Sequence, residues 1–203
     1  MTTVVVMAKE CRPGRVKTRL HPPFSLERAA LIAEASLQDT ITTVTDLAVD
    51  GRVLCLDGLA APPLPAGWEL VLQGSGGLDE RIAAALDACD GPTLVIGMDT
   101  PQLTAADLPS LTGWPDGVDA WLGPATDGGF WALALREPRG DVVRGVPMSR
   151  ADTGARQRES LEAAGLRVGM LAPMTDIDDA ASLRAVQPRL GDGHLSRLLR
   201  SMS

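Results

Sequence analysis

Thr3-Val4-Val5-Val6-Met7-Ala8 runs straight into Lys9-Glu10-Cys11-Arg12-Pro13-Gly14-Arg15-Val16-Lys17-Thr18-Arg19-Leu20, and this junction decides the fold. An apolar run rich in β-branched residues and closed by a charge reads as a first strand. Pro13-Gly14 then forces a turn. Further strand-like runs lie at 52–56, 69–73, 93–97, 120–123, 130–135 and 167–171, and helical patterns separate most of them. The first helix spans 26–46, with Ser25 as its cap and Glu27 in its favourable first turn. Others are expected at 78–88, 154–164 and 179–186, and one opening at Thr104 with Asp107 three residues on. Strands alternating with helices predict a three-layer α/β/α sandwich on a mostly parallel sheet. In such sheets ligands gather at the carboxyl ends of the strands.

Bulk properties narrow the classes further. A chain of 203 residues, 45% hydrophobic and 22% charged, fits one globular domain over 1–203. No apolar stretch reaches the roughly 18 residues that a membrane-spanning helix needs. The amino terminus lacks a basic leader and its apolar run stops at Lys9, so it reads as a strand rather than a signal peptide. Cys11, Cys55 and Cys89 are odd in number and widely spaced, which suits neither a disulfide framework nor a zinc site. A reducing cytoplasm is the expected setting.

Net charge is −7, which argues against a nucleic-acid polymer as partner. Against that background Lys9, Arg12, Arg15, Lys17 and Arg19 face a single Glu10 within eleven residues. A small anion explains this local excess better than a long polyanion, which the acidic surroundings would repel. With Gly14 supplying the turn, an extended backbone would aim Arg15, Lys17 and Arg19 the same way, about 7 Å apart. That spacing matches successive phosphates of a nucleotide, gripped by arginine forks and a lysine point charge. A solvated basic loop is the structural alternative.

Other candidates also follow strands. Strand 93–97 ends on Asp99, a single carboxylate of the kind that suffices for Mg²⁺ (or Mn²⁺) when phosphates supply further oxygens. A turn aspartate bonding its own backbone before Pro101 is the alternative. Thr126-Asp127-Gly128-Gly129 is first of all a hairpin turn, yet it also sets a carboxylate beside Phe130 and Trp131. Asp176 and Asp178 stand side by side if the segment around Ile177 is extended, and helix capping is their alternative. Gly74 and Ser75 would let the backbone approach a base or ribose, and Arg150 would meet an anionic acceptor.

Four motifs carry a resemblance, in order along the chain. They are Met7-Ala8-Lys9 through Leu20, Gly97-Met98-Asp99-Thr100-Pro101-Gln102-Leu103-Thr104, Gly123-Pro124-Ala125-Thr126-Asp127-Gly128-Gly129-Phe130, and Asp176-Ile177-Asp178-Asp179. Together they resemble the glycosyltransferase-A-like (GT-A-like) family known around arsenosugar biosynthesis, and more distantly the 2-phospho-L-lactate guanylyltransferases. The resemblance implies the GT-A, Rossmann-like nucleotide-diphospho-sugar transferase fold. It implies phosphate binding by the first loop, metal at Asp99 with Asp176 or Asp178 completing the site, and an acceptor pocket at Asp127, Gly128 and Gly129. The chain departs at Cys11-Arg12, where the family has a proline and a variable residue; Cys11 reads as a bystander thiol, made more reactive by its cationic neighbours.

The favoured expectation is nucleotidyl transfer from a nucleoside triphosphate to a small phosphorylated acceptor, with Lys17 and Asp99 central. Glycosyl transfer from a nucleoside-diphosphate sugar, with Asp127 as base, is the second expectation. A nucleotide-binding subunit without catalysis is the third.

Overall fold

The computed structural model describes residues 1–111 and 113–202. Seven strands, β1 (Thr3–Lys9), β2 (Gly51–Asp57), β3 (Trp68–Leu72), β4 (Thr93–Gly97), β5 (Ala120–Pro124), β6 (Phe130–Leu135) and β7 (Val168–Met170), form one sheet in the order β3-β2-β1-β4-β6-β5-β7. All neighbouring pairs are parallel except those of β6, which runs antiparallel to both β4 and β5. Helices α1 (Leu26–Thr45), α2 (Leu78–Asp87), α3 (Thr153–Ala163), α4 (Ala180–Val186) and α5 (His194–Met202) flank it. This is the expected α/β/α sandwich on a mostly parallel sheet.

Strand β1 shows why the sequence folds this way. Successive side chains alternate across the sheet, and both faces of a central strand meet a helical layer. Val4, Val6 and Ala8 therefore join the core with Ala33, Leu37 and Ile41 of α1. Val5 and Met7 join Ile82, Ala83 and Leu86 of α2 on the other side.

Helix α1 is buried on two sides. Ala29, Ile32 and Ala35 face away from the sheet and pack with Leu183 and Val186 of α4 and Leu195 of α5. Helix α5 lies outside every expected element. Its first amides, of His194 and Leu195, donate to Asp39 on α1 at 2.6 and 3.0 Å, so its cap comes from a residue 155 positions earlier. The helix expected from Thr104 is a single 3-10 turn, Ala105–Asp107. Asp107 does reach back to the Thr104 amide at 2.9 Å, but Pro109, Gly113 and Pro115 deny the following residues a helical ladder. Among the described residues no helix is long and apolar enough to cross a membrane.

Asp39→Ala should cost about 1 kcal/mol, the usual loss for a helix cap. Hydrogen exchange should show α5 opening before α1; unchanged α5 protection would mean that the apolar packing of Leu195, Leu198 and Leu199 holds the helix without the cap.

Candidate functional site

The strand order runs outward in opposite directions from β1 and β4, so a crevice opens at their carboxyl ends. A cleft of about 500 Å³ occupies it, lined among others by Lys9, Arg15, Lys17, Arg19, Asp99, Asp127, Arg150, Asp176 and Asp178.

Lys17 forms its centre. The loop after β1 is pinned by Val16 and Leu20, both buried in the core. Between them Lys17 takes a left-handed backbone, φ 48 and ψ 37, before the 3-10 turn Thr18–Leu20. That conformation is uncommon outside glycine. Here it turns the side chain inward until only 6% remains exposed, with Nζ 2.8 Å from Asp99 Oδ1 and 3.0 Å from Asp178 Oδ1. Arg19 stays 73% exposed and donates from Nη2 to Asp178 Oδ2 at 2.7 Å. The expected extended backbone through Arg15, Lys17 and Arg19 is therefore corrected: Lys17 is left-handed and Thr18–Leu20 is a 3-10 turn, yet all three residues line one cleft. Burial opposes the charge on Lys17, but Asp99 and Asp178 outweigh it and raise its pKa.

Three segments meet at this ammonium. Asp99 follows β4, and the preceding carbonyl, of Met98, accepts from Ser36 on α1 at 2.7 Å. The Asp99 carbonyl accepts from the Ile177 amide at 2.9 Å, tying the late acidic segment to the end of β4. Ile177 is buried among α1, α4 and α5, and its two aspartate neighbours line the cleft. Asp178 uses both oxygens on Lys17 and Arg19. Asp176 differs: its Oδ1 is buried with no hydrogen-bond partner. Burial first, then the charges of Asp99 and Asp127, push its carboxyl up to about 7. Asp99 Oδ1 has the close charge of Lys17 but no donor aligned as a hydrogen bond.

Two underserved carboxylate oxygens in one cleft fit a hard cation, because buried carboxylates are otherwise paired or neutralised. The expected set is Asp99 with Asp176 or Asp178, and of these two Asp178 already holds cations of the protein. Among the described residues no group of three metal-ligating side chains stands ready to hold an ion. Lys17 and Arg19 have engaged Asp178 instead.

The hairpin between β5 and β6 makes the opposite wall. Asp127 is exposed and accepts from its own turn at the Gly129 amide, 2.9 Å, so its first role is to close the turn. Gly128, at φ +92, lies so close to the turn before α3 that a Cβ would stand 2.0 Å from the Ala151 carbonyl oxygen. Gly154 donates to the Gly128 carbonyl at 2.8 Å. This packing brings Ser149 and Arg150 to the rim, where Arg150 is exposed beside Asp152. Trp131 is core, donating from Nε1 to the Ala172 carbonyl, whereas Phe130 is half-buried against the cleft.

Several expected residues lie elsewhere. Arg12, Gly14, Gly74, Ser75 and Gly128 are not among those lining the cleft. Arg12 is 65% exposed beside Glu10, and Gly14 and Gly128 shape turns from behind. In place of Gly74 and Ser75 the cleft receives the side chains of Asp57, Gln73 and Arg81. Gln73 donates to the carbonyls of Ala8 and Cys55, and Arg81 Nη1 donates to Asp57 at 2.9 Å and to Gln73 at 3.0 Å. Asp57 closes β2 and Gln73 follows β3, so the carboxyl-end rule applied to every strand would have found them. Cys11 is half-buried, and burial together with Glu34 and Asp99 pushes its thiol up to about 12. It is thus not the activated thiol that its basic neighbours suggest.

The chain belongs to the family described as "Uncharacterized protein conserved in bacteria (DUF2064)", whose model matches residues 34–150, more than half of its length. No curated protein matches it. Among solved structures it is similar to a Desulfovibrio desulfuricans G20 protein whose assignment as a nucleotide-diphospho-sugar transferase is provisional, with 23% identity, 98% of this chain and 94% of that one covered, and a TM-score of 0.87. It is also similar to a nucleotidyl transferase from Methanothermobacter, at 15% identity over 99% of each chain and TM-score 0.57. A third is Rv0371c from Mycobacterium tuberculosis in complex with manganese, at 19% identity over 91% of this chain and 97% of that one, TM-score 0.53. At these identities the likeness establishes the fold.

Gly128→Ala should destabilise the protein by about 2 kcal/mol or more, since the positive φ alone costs about 1–3 kcal/mol and the Ala151 carbonyl blocks the new methyl. Denaturant unfolding checks this; a loss below about 0.5 kcal/mol would show the hairpin free to move off α3.

Proposed function

We propose that residues 1–203 form one catalytic unit, a divalent-metal-dependent transferase acting on a nucleotide donor, and specifically a nucleotidyltransferase. The observation that carries the reading is the buried Lys17 ammonium on Asp99 and Asp178, at the crevice where β1 and β4 diverge, with Lys9, Arg15 and Arg19 around it. Four cations beside carboxylates with unsatisfied oxygens suit a polyphosphate bound with a metal ion. Of the solved structures with this fold, one holds CTP in a CMP:2-keto-3-deoxy-manno-octonic acid synthetase (13% identity, TM-score 0.54) and another holds manganese.

In this reading Asp99 and Asp176 hold Mg²⁺ or Mn²⁺, because Asp178 is already committed to two cations. The ion would supply Lewis-acid neutralisation of phosphate oxygens. Lys9, Arg15, Lys17 and Arg19 bind and orient the triphosphate. The network of Asp57, Gln73 and Arg81 lies one and two strands beyond β1, and so takes the nucleoside. Arg150, with Gly129 and the other face of Asp127, receives the acceptor. An acceptor phosphate oxygen forms the new bond to the α-phosphorus, the α–β bridging bond breaks, and pyrophosphate leaves with the displaced electron pair. The acceptor phosphate is already ionised near neutral pH, so no general base is required. The cationic side chains offset the charge that builds on the leaving oxygen.

Glycosyl transfer from a nucleoside-diphosphate sugar is the second reading, and it needs a base at the acceptor hydroxyl. Asp127 spends one oxygen on its own turn, which favours the first reading. The fold setting, without a membrane-spanning helix among the described residues, suits a cytoplasmic enzyme on soluble substrates.

In thermal-shift titration with Mg²⁺, nucleoside triphosphates should add about 2–3 kcal/mol over unliganded protein at 100 times Kd, and sugar diphosphates at the same concentration should add less. Asp99→Asn should abolish the metal-dependent part. Stronger stabilisation by sugar diphosphates would reverse the choice of reaction, and full metal dependence in Asp99→Asn would remove the metal from this site.

A further inference from the structure

We infer that Lys17 is the resting counter-ion of the carboxylate centre, and that a divalent ion enters only as a phosphate draws Lys17 away from Asp99. The inference rests on the metal reading above and adds an order to binding. Lys17 Nζ lies 2.8 Å from Asp99 Oδ1, the oxygen that lacks a hydrogen-bond donor. A divalent ion on this carboxylate would therefore meet an ammonium at contact distance, where like charges repel. The lysine side chain is 6% exposed and that of Asp99 37%, so water screens the repulsion from the carboxylate side only.

The same geometry supplies the release. Lys17 borders the open cleft with Arg15 and Arg19 beside it. A phosphate placed there offers oxygens that replace both carboxylate partners of the ammonium. The Asp178 carboxylate keeps Arg19 on its Oδ2 when Lys17 moves, so it retains a counter-charge while Asp99 loses its own and is left for the ion. Asp176 Oδ1, already without a partner, stands ready as the second ligand. Metal alone has to expel a buried cation and offers it no new partner; phosphate alone meets a centre with three aspartates. Each ligand thus removes the obstacle to the other, which is positive coupling and must be reciprocal.

Electron paramagnetic resonance of free Mn²⁺, with no nucleotide present, tests this directly. Wild-type protein should bind Mn²⁺ weakly, and Lys17→Met should bind it about tenfold more tightly, within the ordinary span of binding couplings. Lys17→Arg keeps the charge and should stay at the wild-type level. Lys17→Gln, neutral and able to hydrogen-bond Asp178, serves in place of the methionine variant if that does not fold. In the Lys17→Met background Asp99→Asn should erase the gain. If the neutral variants bind Mn²⁺ no better than wild type while nucleoside triphosphates still stabilise wild type in a Mn²⁺-dependent way, the competition is refuted and the transferase reading stands. If no variant binds Mn²⁺, and triphosphates stabilise wild type equally without it, the metal reading falls and takes this inference with it.

Discussion

The contact on which the rest depends is the ammonium of Lys17 between Asp99 and Asp178. It joins a loop after the first strand, the end of the fourth strand and a segment near the last helices. A buried ion pair contributes little net stability, because desolvation of each charge offsets most of the attraction. What it contributes here is position. The apolar layers hold the sheet; the charge decides which three loops share one cleft.

That centre could be read only in part from the residues. The strand-to-loop junction, the carboxyl-end placement of Asp99 and the pairing of Asp176 with Asp178 follow from period and punctuation, which are local. The direction of Lys17 is not local. It depends on a left-handed backbone held by Val16 and Leu20 in two separate core clusters, and nothing in an alternation of basic residues reveals that. The same limit explains α5, whose cap is on α1, and the lone turn after Thr104, where a capping signal is present but prolines cut the ladder. Asp57 and Gln73 were legible in principle, since both stand at strand ends.

Reversal of β6 is the other decision that shapes the site. Because β5 runs with the parallel strands and β6 returns, their hairpin falls at the same rim as Asp99 rather than at the far edge. Glycines at 128 and 154 let the hairpin and the start of α3 approach within backbone contact. The two walls of the cleft therefore come from different structural devices, a crossover between parallel strands on one side and a tight hairpin on the other. Residue changes on one wall can alter what is received there while leaving the other intact.

The Lys17–Asp178 contact spans 161 positions, and this has a bearing on how the molecule comes into being. On the ribosome the sheet strands β1 to β6 emerge, together with Asp99, well before Asp178, the second partner of Lys17. A nascent chain can pair these strands and still lack the late acidic segment of the cleft. The complete cleft has to await the residues that follow β7, so a prematurely terminated product would hold Lys17 by Asp99 alone.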